Sequence, residues 1–418
     1  MIGTIPSEMT KLTLIDYFAM QYNFFTGELP TWLGELAKLR VLALGNNKFV
    51  GSLPKCFEKL TNLVTLGLDD NALTGDLTFL LPLYKMERLY LEDNQFSHRL
   101  NTTVLTNMRS LRELDLSTNH LIGTLPPTMF SYENLTLLDL NSNKLTGSIP
   151  SSISVNTKLT FISLYSNNLS GSIPSSISNC SFVTHLDLSD NQLTGEFPNE
   201  IQLITRLSYL FLAGNNFLAG DIPGWLKNLT SLKDLSLKST NRSGPIPSFL
   251  GQLTNLILLD LHNNTLNGTI PSSLGDLTSL SFLLLNRNKL TGTVPQEIQV
   301  LSSIGKCDLI GVCELPLTRQ LLTFLSRADM LLIDKTELNG SVGTLCSRNI
   351  SSVKNSRVAI ADCAGRPEIN CSCCTLCCED LLLNCNDGMS LAVLDPIWEH
   401  SFVRKYYEFS PELIFGSP

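Results

Sequence analysis

The sequence predicts an α/β-type solenoid, a stack of short turns built on one parallel β-sheet. Three observations predict it. The first is a slot that recurs at Asn23, Asn47, Asn71, Asn94, Asn119, Asn143, Asn167, Asn191, Asn215, Thr240, Asn264, Asn288, Val312 and Thr336. The intervals are 24 residues, with one of 23 and two of 25, and a fixed period of this length marks a repeat architecture. The second is that eleven of the fourteen slots hold Asn, which chance does not produce. The third is an alternation of leucines just before each slot, the period of a strand with one buried face.

The strand comes first in each turn. In Leu39 to Leu44, Leu42 and Leu44 point one way and Val41 and Ala43 the other. One such unit buries little alone, so neighbours must stack to close a core. The slot asparagine then turns the chain out of the strand. A buried side-chain amide is tolerable only if it is paired, and here it can bond the backbone of adjacent turns. Thr240 and Thr336 can do part of that work. Val312 cannot, so a local defect is expected there.

The second half of the turn reads G-x-I-P, as at Gly51 to Pro54 and Gly147 to Pro150. Gly relieves a steric limit at a turn, and Pro suits a place where no N–H is needed. The whole pattern, L-x-x-L-x-L-x-x-N-x-L-x-G-x-I-P, resembles the plant-specific class of leucine-rich repeats. That class occurs in receptor-like kinases, receptor-like proteins and polygalacturonase inhibitors. The resemblance covers roughly residues 1–345. It implies a right-handed superhelix with the parallel sheet on its concave face, of about 14 turns of ~24 residues.

The pattern breaks in three places. Gly75 to Thr78 lacks the Pro, and the next turn, His98 to Asn101, lacks the Gly as well. Phe217 to Gly220 carries one extra residue, and residues 307–327 lose most consensus letters. The segment Met1 to Pro6 is in phase with Gly27 to Pro30, so the N-terminal cap is expected to be missing.

Composition excludes several classes. Thirty basic against 38 acidic residues give a net charge of −8, with no footprint for gripping nucleic acid. No run of ~18 apolar residues reads as a transmembrane helix, so a membrane link would have to come from a segment upstream of Met1. G-x-S-x-G, P-loop, H-E-x-x-H, G-x-G-x-x-G and the kinase signatures are all missing. The chain therefore reads as a non-enzyme with no cofactor and no metal.

The outward columns of the sheet are the place to expect a ligand. They carry Tyr90, Phe161, Tyr165, His185, Tyr209 and Phe211, together with Asp115, Asp139 and Asp187. Asp69, Asp70, Glu92, Asp93 and Glu113 make the early columns acidic. Clustered rings give large contact area at low entropy cost and mark interaction surfaces. They can equally pack on one another as a cross-strand ladder. The acidic strip reads as a solvated face or as a docking surface for a basic peptide or a cation.

Eleven N-x-[ST] sequons, from Asn101 to Asn370, favour a secreted route. Of the 12 cysteines, Cys56, Cys180 and Cys307 fall in repeat turns as small core residues. Cys346, Cys363, Cys371, Cys373, Cys374, Cys377, Cys378 and Cys385 crowd where the repeat ends. They fit a disulfide-bonded cap, although Cys374 to Cys377 also has the spacing of a zinc pair. Residues 346–390 would form this cap and residues 391–418 an aromatic tail. The run Pro367 to Cys378 and the tail Trp398 to Phe409 resemble the C-terminal cap of diatom leucine-rich-repeat proteins, which implies a membrane helix ahead of the repeats.

The expectation is thus a non-catalytic, receptor-like ectodomain at the cell surface or outside the cell. Its concave face would bind a protein, peptide or glycan, with a co-receptor as a further partner. A secreted inhibitor of a wall-degrading hydrolase, or an adhesive surface protein, is the alternative.

Overall fold

The computed structural model describes residues 1–100, 107–155 and 158–299, and beyond them only short strands between Met330 and Cys377. The chain divides into two compact units, Met1–Leu218 and Ala219–Pro418. The division falls at the extra residue of the Phe217 to Gly220 turn. In its described residues each unit is a solenoid of stacked turns.

In the first unit a parallel sheet runs through Tyr17–Ala19, Val41–Ala43, Thr65–Gly67, Arg88–Tyr90, Glu113–Asp115, Leu137–Asp139, Phe161–Ser163, His185–Asp187 and Tyr209–Phe211. Register follows the repeat, with Val41 opposite Thr65, Thr65 opposite Arg88 and Arg88 opposite Glu113. Leu42, Leu44, Leu66, Leu68 and their equivalents face inward and are fully buried. Each such side chain contributes about 1.5–3 kcal/mol of apolar burial. Further parallel strands such as Lys48–Ser52 and Lys144–Ser148 follow the asparagine.

The asparagines make the ladder expected of them. Asn143 Nδ2 donates to Leu140 O (3.2 Å) and Asn141 O (3.0 Å) in its own turn, and to Leu116 O (2.9 Å) in the preceding one. Its Oδ1 accepts from Leu121 N at 2.9 Å. The same pattern holds at Asn47, Asn71, Asn94, Asn119, Asn167, Asn191, Asn215, Asn264 and Asn288. Thr240 does part of the work, its hydroxyl donating to Leu237 O at 2.6 Å. The residue just before the slot is left-handed in every described turn, from Tyr22 (φ 57) to Arg287 (φ 56).

The Gly and Pro of the second half act as expected. Gly147 sits at φ +81, and a Cβ there would stand 2.8 Å from Thr124 Cγ2. Pro54, at φ −65 and ψ 133, opens the one-turn 3-10 helix Lys55–Lys59. Where Thr78 stands in place of the Pro, the helix shortens to Thr78–Leu80, and Asp76 Oδ1 accepts from Thr78 N at 3.0 Å.

One expectation needs correction. Cys56 is half-exposed, its Sγ 2.9 Å from Thr31 O, because the neighbouring Phe57 fills the core position. Cys180 is buried as expected, and burial pushes its thiol up to about 11. In the second unit the sheet passes through Asp234–Ser236, Leu258–Asp260 and Phe282–Leu284, then directly to Met330–Leu332. Phe282 is opposite Met330 there. Val312, Thr336, Cys307, the capping cysteines (Cys346, Cys363, Cys371, Cys373, Cys374, Cys377, Cys378 and Cys385) and the tail lie outside the described side chains.

Candidate ligand-binding face

Strand alternation places two outward side chains per turn, six and four residues before the asparagine, on the sheet's solvent side. A third stands two residues before it, near the edge. In the first unit the structure brings the expected rings together. Phe161 stacks on His185, with centroids 4.3 Å apart and an interplanar angle of 19°. His185 also meets Tyr209 at 5.6 Å and Phe211 at 5.7 Å, both tilted. Their backbones are neighbours by register, Phe161 opposite His185 and His185 opposite Tyr209.

The cluster is partly self-packed. His185 and Phe211 are buried beneath it, while Phe161 and Tyr209 are half-exposed. Burial holds the imidazole of His185 down to about 3, so it is a neutral ring at ordinary pH. Tyr165 stands in the turn of Phe161, one before that of His185, and its hydroxyl accepts from Ser142 Oγ at 3.2 Å. Ring packing and an exposed apolar rim therefore coexist at this patch.

The expected aspartates share one contact. Asp115, Asp139 and Asp187 each turn Oδ1 to the N–H two residues on, at Ser117 (2.9 Å), Asn141 (3.0 Å) and Ser189 (2.9 Å). That contact caps the strand end. Tyr90 is buried, and its hydroxyl donates to Glu113, which also pairs with Arg88 at 3.4 Å. Burial and then that bond to Glu113 raise the Tyr90 phenol.

Sequence reasoning placed Asp69 and Glu92 in the acidic strip, read as a solvated face or as a docking surface for a basic peptide or a cation, and did not foresee their burial. Burial, reinforced by Asp70 and Asp115, raises Asp69 to about 6, although Asn46 Nδ2 donates to it at 2.8 Å. Glu92 is pushed well above the usual carboxylate range, by burial first and then by Asp115, Asp69 and Asp139. The available signal was the pair Gly45 and Gly67, which strips the floor beside them of side chains.

The second unit holds a buried polar chain on the same columns. Ser236 Oγ donates to Asp260 Oδ2 at 2.7 Å, and His262 Nδ1 lies 2.7 Å from Asp260 Oδ1. Burial alone would raise Asp260, but His262 and Ser236 outweigh it and hold it low. Among the described sequons, Asn168, Asn179, Asn228, Asn241, Asn263 and Asn267 are exposed and Asn134 is half-buried. No group of three or more His, Cys, Asp or Glu among the described residues is placed to hold a metal ion. No helix among them is long and apolar enough to cross a membrane.

Comparison with known proteins agrees with this architecture. A model described as leucine rich repeat matches residues 109–169, and a second of the same description matches residues 38–60, 182–203 and 255–277. No curated protein gives a significant match. Among solved structures, the chain is similar to the ectodomain of the Arabidopsis thaliana membrane receptor kinase GASSHO1/SCHENGEN3, in complex with CASPARIAN STRIP INTEGRITY FACTOR 2. The identity is 29% and the TM-score 0.66, over 82% of this chain and 41% of that one. The plant peptide hormone receptor RGFR1, in complex with RGF2, is 28% identical with a TM-score of 0.59, over 81% and 58%. A leucine-rich-repeat protein of Leptospira interrogans is 28% identical with a TM-score of 0.62, over 81% and 77%. The chain thus spans less than half the length of the first of these. Fold and columns together define a leucine-rich-repeat module of the kind seen in plant receptor ectodomains.

Proposed function

We propose that the chain is a non-catalytic recognition module that works outside the cell and binds a polypeptide on the solvent side of its sheet. The observation that carries this reading is the Phe161, His185, Tyr209 and Phe211 cluster, where half-exposed rings rest on a buried, neutral imidazole. Preorganised rings lose little entropy on binding and serve as anchors. The neighbours with TM-scores of 0.66 and 0.59 are ectodomains held in complex with CASPARIAN STRIP INTEGRITY FACTOR 2 and RGF2, which supports a peptide over a glycan. The exposed sequons at Asn168, Asn179 and Asn267 are compatible with a secreted route.

The test is a displayed random-peptide library selected on the whole protein and counter-screened on F161A/Y209A. Selected peptides should bind the double variant at least tenfold more weakly, since each lost anchor costs about 1–2 kcal/mol. Peptides that bind both proteins equally, with the variant folded by circular dichroism, would overturn the reading.

A further inference from the structure

The second unit's sheet differs from the first in the state of its outward columns. Asp234, Ser236, Leu258, Asp260, Phe282 and Leu284 fill the two outward positions of three successive turns, and all six are buried. His262 and Asn286, nearer the edge, have no exposed surface. In the first unit the same columns keep Asp115, Leu137 and Asp139 half-exposed. Outward side chains of a parallel sheet lose their water when another layer lies over them. The other described strands here, such as Arg242–Pro245 and Thr265–Gly268, pair into a separate sheet beyond the asparagines. The one-turn helices Ser248–Gln252 and Ser272–Asp276 follow that sheet and pack on each other. Chain beyond Gln299 belongs to the same compact unit, Ala219–Pro418.

The chemistry of the face selects its cover. Register carries the columns onward through apolar letters. Phe282 is opposite Met330 and Met330 opposite Val358. Leu284 is opposite Leu332, Leu332 opposite Ile360 and Ile360 opposite Leu376. Asp234 and Asp260 stand among the buried members, and buried carboxylates favour a cover that carries positive charge. Between Gln299 and Trp398 the chain holds one aromatic residue, Phe324. Rings and cations gather instead at residues 398–409, which read Trp-Glu-His-Ser-Phe-Val-Arg-Lys-Tyr-Tyr-Glu-Phe. Residues two apart share a face of an extended chain, so Phe402, Arg404 and Tyr406 would present a guanidinium between two rings. The reach is ample. Leu376–Cys377 lies five strand steps from Asp234–Ser236 in the sheet, roughly 24 Å at about 4.8 Å each. The intervening residues 378–397 can span up to roughly 65 Å.

We propose that the outward face of the second unit's sheet is a docking surface for the chain's own residues 398–409. Phe402 and Tyr406 cover Leu258, Phe282 and Leu284, and Arg404 lies toward the carboxylates of Asp234 and Asp260. The second unit's face is thus filled from within, while the ring cluster of the first unit serves an external ligand. The docking does not depend on what that cluster binds.

Hydroxyl-radical footprinting of the whole protein, read by mass spectrometry, tests it. Phe282, 3% exposed, should oxidise far more slowly than Phe24, 57% exposed. F402A/Y406A changes only the tail and leaves the repeats intact. Loss of two ring anchors should weaken docking roughly 100-fold and speed the oxidation of Phe282 about tenfold. R404E/K405E in the whole chain should act in the same direction. A synthetic peptide of residues 398–409, added in excess to F402A/Y406A, should restore the shielding, and its R404E/K405E form should not. Native Phe282 oxidising as fast as Phe24 would overturn the proposal. Shielding that persists in both variants would overturn it in favour of another segment of the chain. Shielding that disappears on dilution of the native protein would overturn it in favour of a second copy. Equal rescue by the two peptides would remove the charge match on which the choice of occupant rests.

Discussion

Replacing Asn143 with Ala isolates what one ladder amide contributes. The carbonyls it serves keep other donors: Leu116 O still accepts from Asn119 (3.3 Å), Leu140 O from Asn167 (3.0 Å), and Asn141 O from Thr118 N (2.9 Å). The N–H of Leu121 has no such reserve, since Asn143 Oδ1 is the acceptor it is given, at 2.9 Å. Asn143 is only 8% exposed, so water does not readily replace it. One orphaned donor costs about 1–3 kcal/mol and the lost ladder bonds about 1 more, so the expected loss is roughly 2–4 kcal/mol. N143T should lose about 1 kcal/mol less, because a slot threonine bonds its own turn as Thr240 does. Urea unfolding measures the loss, and amide hydrogen exchange at Leu121 locates it, because solenoid turns contact only their neighbours. If N143A loses less than about 0.5 kcal/mol and Leu121 stays protected, the amide is not the joint between these turns.

Two further outcomes follow from local geometry. His185 has a folded value near 3 against an ordinary 6.5, so the stability it gives is present above 6.5 and is lost as pH falls toward 3. Asp69 has the opposite sign: raised from 3.8 to about 6, its contribution is full below 3.8 and is lost as pH rises through 6. H185F removes only the first term. Its advantage over the native protein in urea midpoint should therefore grow as pH falls from 6.5 to 4.5, and a pH-independent difference would refute the assignment. G147A places a Cβ at φ +81 against Thr124 Cγ2; it should cost about 1–3 kcal/mol, and an unchanged midpoint would show that the turn relaxes freely.

Much of the fold was legible because it is periodic. The asparagine slot, the inward leucines and the Gly and Pro of each second half are local requirements repeated every turn, so the sequence displays each many times. The candidate face was less so. The stacking of Phe161 on His185 was half visible, since the columns placed both rings, but the burial of His185 depends on how Tyr209 and Phe211 pack against it. The desolvation of Glu92 was not visible, because it arises from Asp69, Asp115 and the glycines on other turns. The link from Ser236 through Asp260 to His262 was hidden for the same reason, three unremarkable letters on two turns meeting in space. Cys56 misled because one residue separates a core slot from a surface one.

The left-handed residue before each ladder asparagine acts as a filter on the rim's chemical alphabet. Backbone at φ near +50° admits Asn, Asp and Gly at least cost, and this column reads Tyr22, Asn46, Asp70, Asp93, Thr118, Ser142, Ser166, Asp190, Gly214, Ser239, Asn263 and Arg287, half of them Asn, Asp or Gly. Acidity there is in part a torsional by-product and carries little information about a partner. Asp69 and Glu92, one residue earlier, are under no such constraint. Among relatives that share the fold, specificity should be sought in the columns two, four and six residues before the asparagine, with the column beside it discounted as backbone grammar.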